Sequence, residues 1–109
     1  MESKKVLDIT SVMIMPRVDA SNAKTVETEL TALVNSGTRK LVCNFTKNEY
    51  ISSAGLRVFL STLKMLKKAE GQMVLCGLQP YVQEVFEMAG FSQLFKMYNT
   101  EEEAIQECK

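Results

Sequence analysis

Histidine is absent from all 109 residues of this chain. Its absence excludes histidine-based triads, Cys–His dyads, ordinary zinc sites with histidine ligands and histidine phosphotransfer. The sequence also lacks a CxxC pair, a Walker-type GxxxxGKS/T loop and a GxGxxG motif. We therefore expect neither an enzyme of the common kinds nor a metal site or a bound cofactor.

An excess of charge of either sign is also missing. The 13 basic and 13 acidic residues give a formal net charge of zero, which removes the electrostatic footprint of a nucleic-acid binder. No apolar run approaches the length of a membrane span, and the segment Met1–Lys5 lacks the apolar region of a signal peptide. We expect a cytoplasmic protein that binds neither nucleic acid nor membrane directly.

Cysteine is scarce, with three residues that cannot all pair with one another: Cys43, Cys76 and Cys108. Cys43 and Cys76 lie in apolar runs, where a free cysteine behaves as a small hydrophobe. We expect a structural rather than a redox role. A chain of this length is most simply one domain with one core, so we assign residues 1–109 to a single domain, expected to be a monomer.

Apolar patterning alternates between helix and strand along the chain. Two short strands are expected within residues 6–17, and short buried strands at 41–45, 73–76 and 94–98. Helices are expected near 23–34, 53–69 and 80–88 and from about 100 to Ile105. The order β-β-α-β-α-β-α-β-α is typical of an α/β fold with a mixed, mostly parallel central sheet of four to five strands and about four helices.

The burial of two further groups of side chains, the methionines and an acidic run, can be predicted from the sequence. We expect Met88 to be a core residue, as we do Met13, Met15 and Met73. The acidic run Glu101–Glu103 stands at the start of the last helix, where carboxylates suit the helix dipole, and we expect it to face solvent.

The most informative segment is Tyr50–Leu60, in which Ser52 and Ser53 precede a strongly amphipathic helix. A serine at the start of a helix can cap the unpaired backbone N–H groups there. The same position also suits a phosphate, because the helix dipole favours an anion. The residues alone leave both roles open. Gly55 is predicted to allow close packing of the helix on the sheet, and Asp19 to cap the first helix.

Four blocks of sequence, in order, resemble the anti-sigma factor antagonist family, whose members carry the STAS domain. The most specific block is Ile51–Leu56, and the others are Val18–Ala23, Val74–Leu78 and Val85–Gly90. The resemblance extends over nearly the whole chain. It implies a STAS fold and a protein that regulates transcription through protein–protein binding and partner switching.

The resemblance also implies a set of partners and a switch. In this family the unmodified antagonist binds an anti-sigma factor that is a serine kinase, which frees a sigma factor. The kinase then phosphorylates one serine of the antagonist, and a PPM-type phosphatase reverses the modification. Alignment on Gly55 and Leu56 places the phosphorylated serine at Ser53, with Ser52 as the second choice. The implied partner-binding surface consists of Asp19, Ser21, Asn22, Ser52, Ser53, Ala54, Gly55 and Arg57.

This chain departs from the commonest family pattern, Asp-Ser-Ser/Thr-Gly, at two positions. Ser52 stands where many members have aspartate, and Ala54 stands at the second hydroxyl position. The missing aspartate favours an alternative, a STAS adaptor that binds its partner constitutively without phosphorylation. A small-ligand sensor is a third possibility, although no phosphate-cradling loop is present.

Overall fold

The structure is a computed structural model that describes residues 1–109. Its seven strands are β1 (Ser3–Val6), β2 (Ile9–Met13), β3 (Arg17–Val18), β4 (Lys40–Asn44), β5 (Tyr50–Ile51), β6 (Gln72–Cys76) and β7 (Lys96–Tyr98). Its four helices are α1 (Ala23–Asn35), α2 (Ser53–Lys68), α3 (Pro80–Met88) and α4 (Glu101–Cys108).

Five of the strands form one mixed sheet in the order β1-β2-β4-β6-β7. β1 pairs antiparallel with β2, and every other pair in this sheet is parallel. The parallel strands need crossovers, which the helices supply. This confirms the predicted α/β class, the mostly parallel five-stranded sheet and the four helices.

The two faces of this sheet carry cores of different size. One face is covered by α1, α2 and α3 over a cluster of 21 buried apolar residues, in which Phe45, Phe59 and Phe86 are fully buried. The opposite face is covered by α4 over a cluster of six buried residues: Ile9, Val42, Val74, Cys76, Ala104 and Cys108. Because successive side chains of a strand point to opposite faces, β4 contributes Leu41 and Cys43 to the first core and Val42 to the second.

Several element boundaries differ from the sequence-based prediction. The prediction that the first two strands lie within residues 6–17 is wrong for β1, which covers Ser3–Val6. Helix α2 ends at Lys68, one residue before the predicted end, α4 continues to Cys108 rather than ending at Ile105, and β7 begins at Lys96 rather than at residue 94. The sequence analysis missed β3 and β5, which pair with each other in parallel as a second, two-stranded sheet. Each has only two residues, too few to produce a period-2 pattern.

Three side-chain predictions can be compared with the structure. Cys43 and Cys76 are buried and free, as predicted, and Cys108 is buried and free as well; burial raises the pKa of the Cys76 thiol to about 12. The prediction for Met88 is wrong, because its side chain is 80% exposed on the outer side of α3. The acidic run divides: Glu102 and Glu103 face solvent as predicted, whereas Glu101 is half-buried against the sheet. None of the helices has the length and apolar character needed to cross a membrane.

Candidate functional site

The two-residue strands β3 and β5 bring two distant segments side by side. Arg17 is opposite Tyr50 and Val18 is opposite Ile51 in a parallel register. The Ser52 N–H continues this ladder by donating to the Val18 carbonyl at 2.9 Å. Asp19 follows β3 and Ser52 follows β5, so these two residues lie at the same end of the paired strands. The chain thus places the loop before α1 beside the start of α2.

At the start of α2, the two adjacent serines have different surroundings. Ser52 is the N-cap residue, and its Oγ accepts a hydrogen bond from the Gly55 N–H at 3.3 Å. Ser53 is the first residue of the helix and is exposed. Its hydroxyl makes no hydrogen bond to any group of the protein, unlike that of Ser52. Capping is therefore done by Ser52, and the Ser53 hydroxyl is free.

Gly55 allows the first turn of α2 to lie directly on β3 and β5. A Cβ atom at this position would stand 2.8 Å from Cγ1 of Val18 and 2.8 Å from Cγ1 of Ile51. Both of these side chains are buried, so neither has free space into which to move. The structure confirms the packing role predicted for Gly55.

The loop before α1 is held by its own polar side chains. Asp19 Oδ1 accepts hydrogen bonds from the Ser21 backbone N–H at 2.9 Å and from the Ser21 hydroxyl at 2.6 Å. Asn22 donates from Nδ2 to the Arg17 carbonyl at 2.8 Å and accepts at Oδ1 from the Asp19 N–H at 2.9 Å. The prediction that the Asp19 side chain caps α1 is wrong, because Asn22 holds the N-cap position and Asp19 closes the preceding turn.

The surroundings of the Asp19 carboxyl favour its ionised form. The hydroxyl and the backbone N–H of Ser21 hold the pKa of the Asp19 carboxyl below its usual value, with a further contribution from the charge of Arg17. A carboxylate is thus fixed beside the start of α2, on the surface that contains Ser53.

Arg17 and Asn48 are residues of this region that the sequence analysis did not identify. Arg17 Nε lies 3.6 Å from Asp19 Oδ2, and its guanidinium lies 4.4 Å from the centre of the Tyr50 ring. No sequence pattern marks this pair, because β3 has only two residues and Asp19 follows its end. Asn48 is fully buried and donates from Nδ2 to the Met15 carbonyl at 2.9 Å and to the Tyr50 carbonyl at 3.1 Å. A single asparagine in a turn gives no such signal.

Ala54 and Arg57 lie beside a shallow groove between α2 and α1. The groove is lined by Glu27, Ala54, Arg57, Val58, Leu60, Ser61 and Lys64. Arg57 is exposed, and none of the ion pairs of this chain includes it. The predicted surface residues therefore do come together around the start of α2, with Gly55 buried beneath them.

Known proteins are similar in sequence to this chain over most of its length. The family model of the STAS domain matches residues 1–104. A candidate anti-sigma factor antagonist, BtrV of Bordetella bronchiseptica, is 46% identical over 87 residues, which is 80% of this chain and 75% of that protein. The anti-sigma-B factor antagonist of Staphylococcus aureus is 28% identical over 83 residues, which is 76% of this chain and 77% of that protein.

Solved structures share the fold. A candidate anti-sigma factor antagonist from Thermotoga maritima superposes with a TM-score of 0.93 at 24% identity, over 98% of this chain and 92% of that one. The phosphorylated form of SpoIIAA, a Bacillus cell fate determinant, superposes with a TM-score of 0.78 at 20% identity, over 99% of this chain and 98% of that one. The family match over residues 1–104, the identity to BtrV and this shared fold agree: the chain belongs to the STAS domain family.

Proposed function

We propose that this protein is an anti-sigma factor antagonist whose activity is set by phosphorylation of Ser53. In the unmodified state it binds an anti-sigma factor that is a serine kinase and so frees a sigma factor. Phosphorylation ends the binding, and a PPM-type phosphatase restores it. The names of relatives support the antagonist role, above all that of BtrV at 46% identity.

The observation that carries the choice of Ser53 is the contrast between the two adjacent serines. The Ser52 hydroxyl caps α2, whereas the Ser53 hydroxyl is exposed and free of hydrogen bonds to the protein. In the proposed step, the Ser53 oxygen forms a bond to the γ-phosphorus of ATP, the bond to the β,γ-bridging oxygen breaks, ADP leaves, and the hydroxyl proton is released. An exposed first residue of a helix allows this without unfolding the protein.

The added phosphate acts at the surface rather than on the fold. It brings a charge of about −1.5 to −2 at neutral pH. The start of α2 accommodates an anion, and Ser53 contributes nothing to the core that phosphorylation would disturb. The phosphate also adds to the negative charge of Asp19, which follows the strand beside the start of α2, so a partner that fits the unmodified surface meets a more negative one. We expect similar circular dichroism and similar melting for the modified and the unmodified protein.

The test uses two single variants as a matched pair. Wild type, Ser53→Ala and Ser52→Ala are incubated with ATP and lysate of the native host, and intact mass and the modified residue are measured. We expect one phosphate on wild type and on Ser52→Ala and none on Ser53→Ala.

Two results would contradict the proposal. A phosphate located on Ser52 or Thr46 would assign the switch to another residue. No phosphate on wild type, in a lysate that modifies a known antagonist, would favour the constitutive adaptor and leave Ser53 as an ordinary first residue of a helix.

A further inference from the structure

The charges on α2 are all of one sign. Its 16 residues include four cations and no carboxylate: Arg57, Lys64, Lys67 and Lys68. All four are exposed, and none takes part in an ion pair within the chain. Three of the four lie toward the end of the helix, where cations complement the helix dipole, so Arg57 is the one unpaired cation near the start of α2.

Arg57 is the cation nearest to Ser53 along the helix. Residues four apart lie on the same face one turn from each other, with Cβ atoms about 5–6 Å apart. Ser53 and Arg57 are both exposed, so both side chains are accessible to solvent. A serine hydroxyl gives a guanidinium little to bind, whereas a phosphate provides three acceptor oxygens that match the planar donors of arginine.

Other charged groups around this position have partners already. Arg17, on β3, lies against Asp19 and the Tyr50 ring. Glu27, on α1, borders the same groove as Arg57, and its Oε1 lies 3.5 Å from Lys24 Nζ. Arg57 therefore meets no competing carboxylate within ion-pair distance.

We propose, resting on the phosphorylation of Ser53 proposed above, that the phosphate at Ser53 binds the guanidinium of Arg57 within the first turns of α2. The modification then changes two positions of the surface at once. Position 53 gains a negative charge, and the guanidinium of Arg57 is no longer free on the surface. Through Arg57, phosphorylation of Ser53 thus changes the surface at a second position.

The test installs phosphoserine at position 53 by genetic encoding, so that it does not depend on any kinase. The second pKa of the phosphate is measured by ³¹P NMR titration in wild type, Arg57→Gln and Arg57→Lys. Lys64→Gln is the matched control, because it removes one charge from the same helix at a greater distance from Ser53. Circular dichroism checks that each variant is folded.

A nearby cation favours the dianion, so it lowers the second pKa of the phosphate. We expect the pKa to be about 0.2–0.4 unit higher in Arg57→Gln than in wild type, intermediate in Arg57→Lys, and unchanged in Lys64→Gln. Equal values in wild type and Arg57→Gln would overturn the proposal, as would an equal rise in Lys64→Gln, which would indicate the general field of the helix.

This result is separate from that of the proposed function. If the host lysate leaves Ser53 unmodified but the encoded phosphoserine shows the shift, the switch fails and the arginine–phosphate contact stands. If the lysate modifies Ser53 and the shift is absent, the switch stands and the contact fails.

Discussion

Helices α2 and α4 begin with the same kind of cap but differ in the charge of their first turns. Each is preceded by an extended N-cap residue whose hydroxyl accepts a hydrogen bond from the N–H three residues later. Ser52 accepts from Gly55 at 3.3 Å, and Thr100 accepts from Glu103 at 3.2 Å. The first turn of α4 contains three acidic residues, and the first turn of α2 contains none.

The first residue of α4 is a permanent anion that is fully engaged. Glu101 Oε1 lies 2.8 Å from Lys4 Nζ, and its Oε2 accepts from the Ser11 hydroxyl at 2.6 Å and from Asn44 Nδ2 at 3.3 Å. Partial burial opposes ionisation of this carboxyl, but the three donors, Lys4 first among them, outweigh that cost and lower its pKa. The charge of Glu101 therefore ties α4 to the sheet.

The start of α2 is anchored in the opposite manner. Its third residue, Gly55, has no side chain and lies directly on Val18 and Ile51, whereas the third residue of α4, Glu103, faces solvent. Packing thus holds α2, and its first residue is left neutral and outward-facing. This chain thus builds an anion with its cation into the start of α4 and leaves the first residue of α2 neutral and exposed.

The largest expected effect comes from removing the close packing that holds α2. In Gly55→Val, the new side chain overlaps two buried side chains and the Val18 carbonyl, which lies 3.2 Å from the Cβ position. Overpacking of this kind destabilises by about 2–3 kcal/mol. Urea unfolding followed by circular dichroism measures the loss, with Gly55→Ala as a milder variant. Ser61→Val is the control, because it introduces the same β-branched residue at an exposed position of α2. Wild-type stability in Gly55→Val would show that the start of α2 is not held by packing.

The sequence predicted the main sheet well, because its central strands are continuous apolar runs and the helices between them are long enough to display a period. The apolar runs at 41–45 and 73–76 have no polar alternation, which is typical of strands covered on both faces. Strands β3 and β5 escaped prediction because each is two residues long and exists through pairing with a segment more than 30 residues away. Tertiary pairing, rather than local propensity, determines them.

The residues proposed for the candidate site remain a prediction, and the structure adds their contacts. Serine pairs before an amphipathic helix identify the start of α2, yet only the geometry separates the capping Ser52 from the free Ser53. Glu101 was expected in solvent because its partners Lys4, Ser11 and Asn44 are far away in sequence. Nothing local distinguishes Glu101 from Glu102 and Glu103, so the fold had to be known first.

An intermediate effect is expected from removing the anion of α4. Glu101→Ala deprives the Ser11 and Asn44 donors of their acceptor, and these residues are only 3% and 5% exposed. Loss of their partner costs about 1–2 kcal/mol, whereas the exposed Lys4 contributes little of this. Chemical denaturation measures the loss, with Glu102→Ala as the control in the same turn.

The same variant should also loosen α4 locally. Cys76 lies beneath α4 and Cys108 is the buried last residue of α4, whereas Cys43 lies in the core on the opposite face. We expect faster modification of the first two thiols by a thiol reagent in Glu101→Ala and no change at Cys43. Uniform acceleration at all three cysteines would indicate global unfolding and contradict the role of Glu101 in holding α4.

The smallest expected effect comes from giving α2 the arrangement that α4 already has. Ser53→Glu places a carboxylate on the first residue of α2, where the helix dipole favours it by about 0.3–1 kcal/mol. Arg57, one turn away, should add about 0.2–0.5 kcal/mol as an i,i+4 pair. A double-mutant cycle of Ser53→Glu with Arg57→Gln isolates this coupling, and the cycle with Lys64→Gln is the control. Coupling to Arg57 and none to Lys64 would show that α2 holds a cation in place for an anion at residue 53. Equal stability of all the variants would contradict this coupling, and the starts of α2 and α4 would then be alike only in their capping hydroxyls.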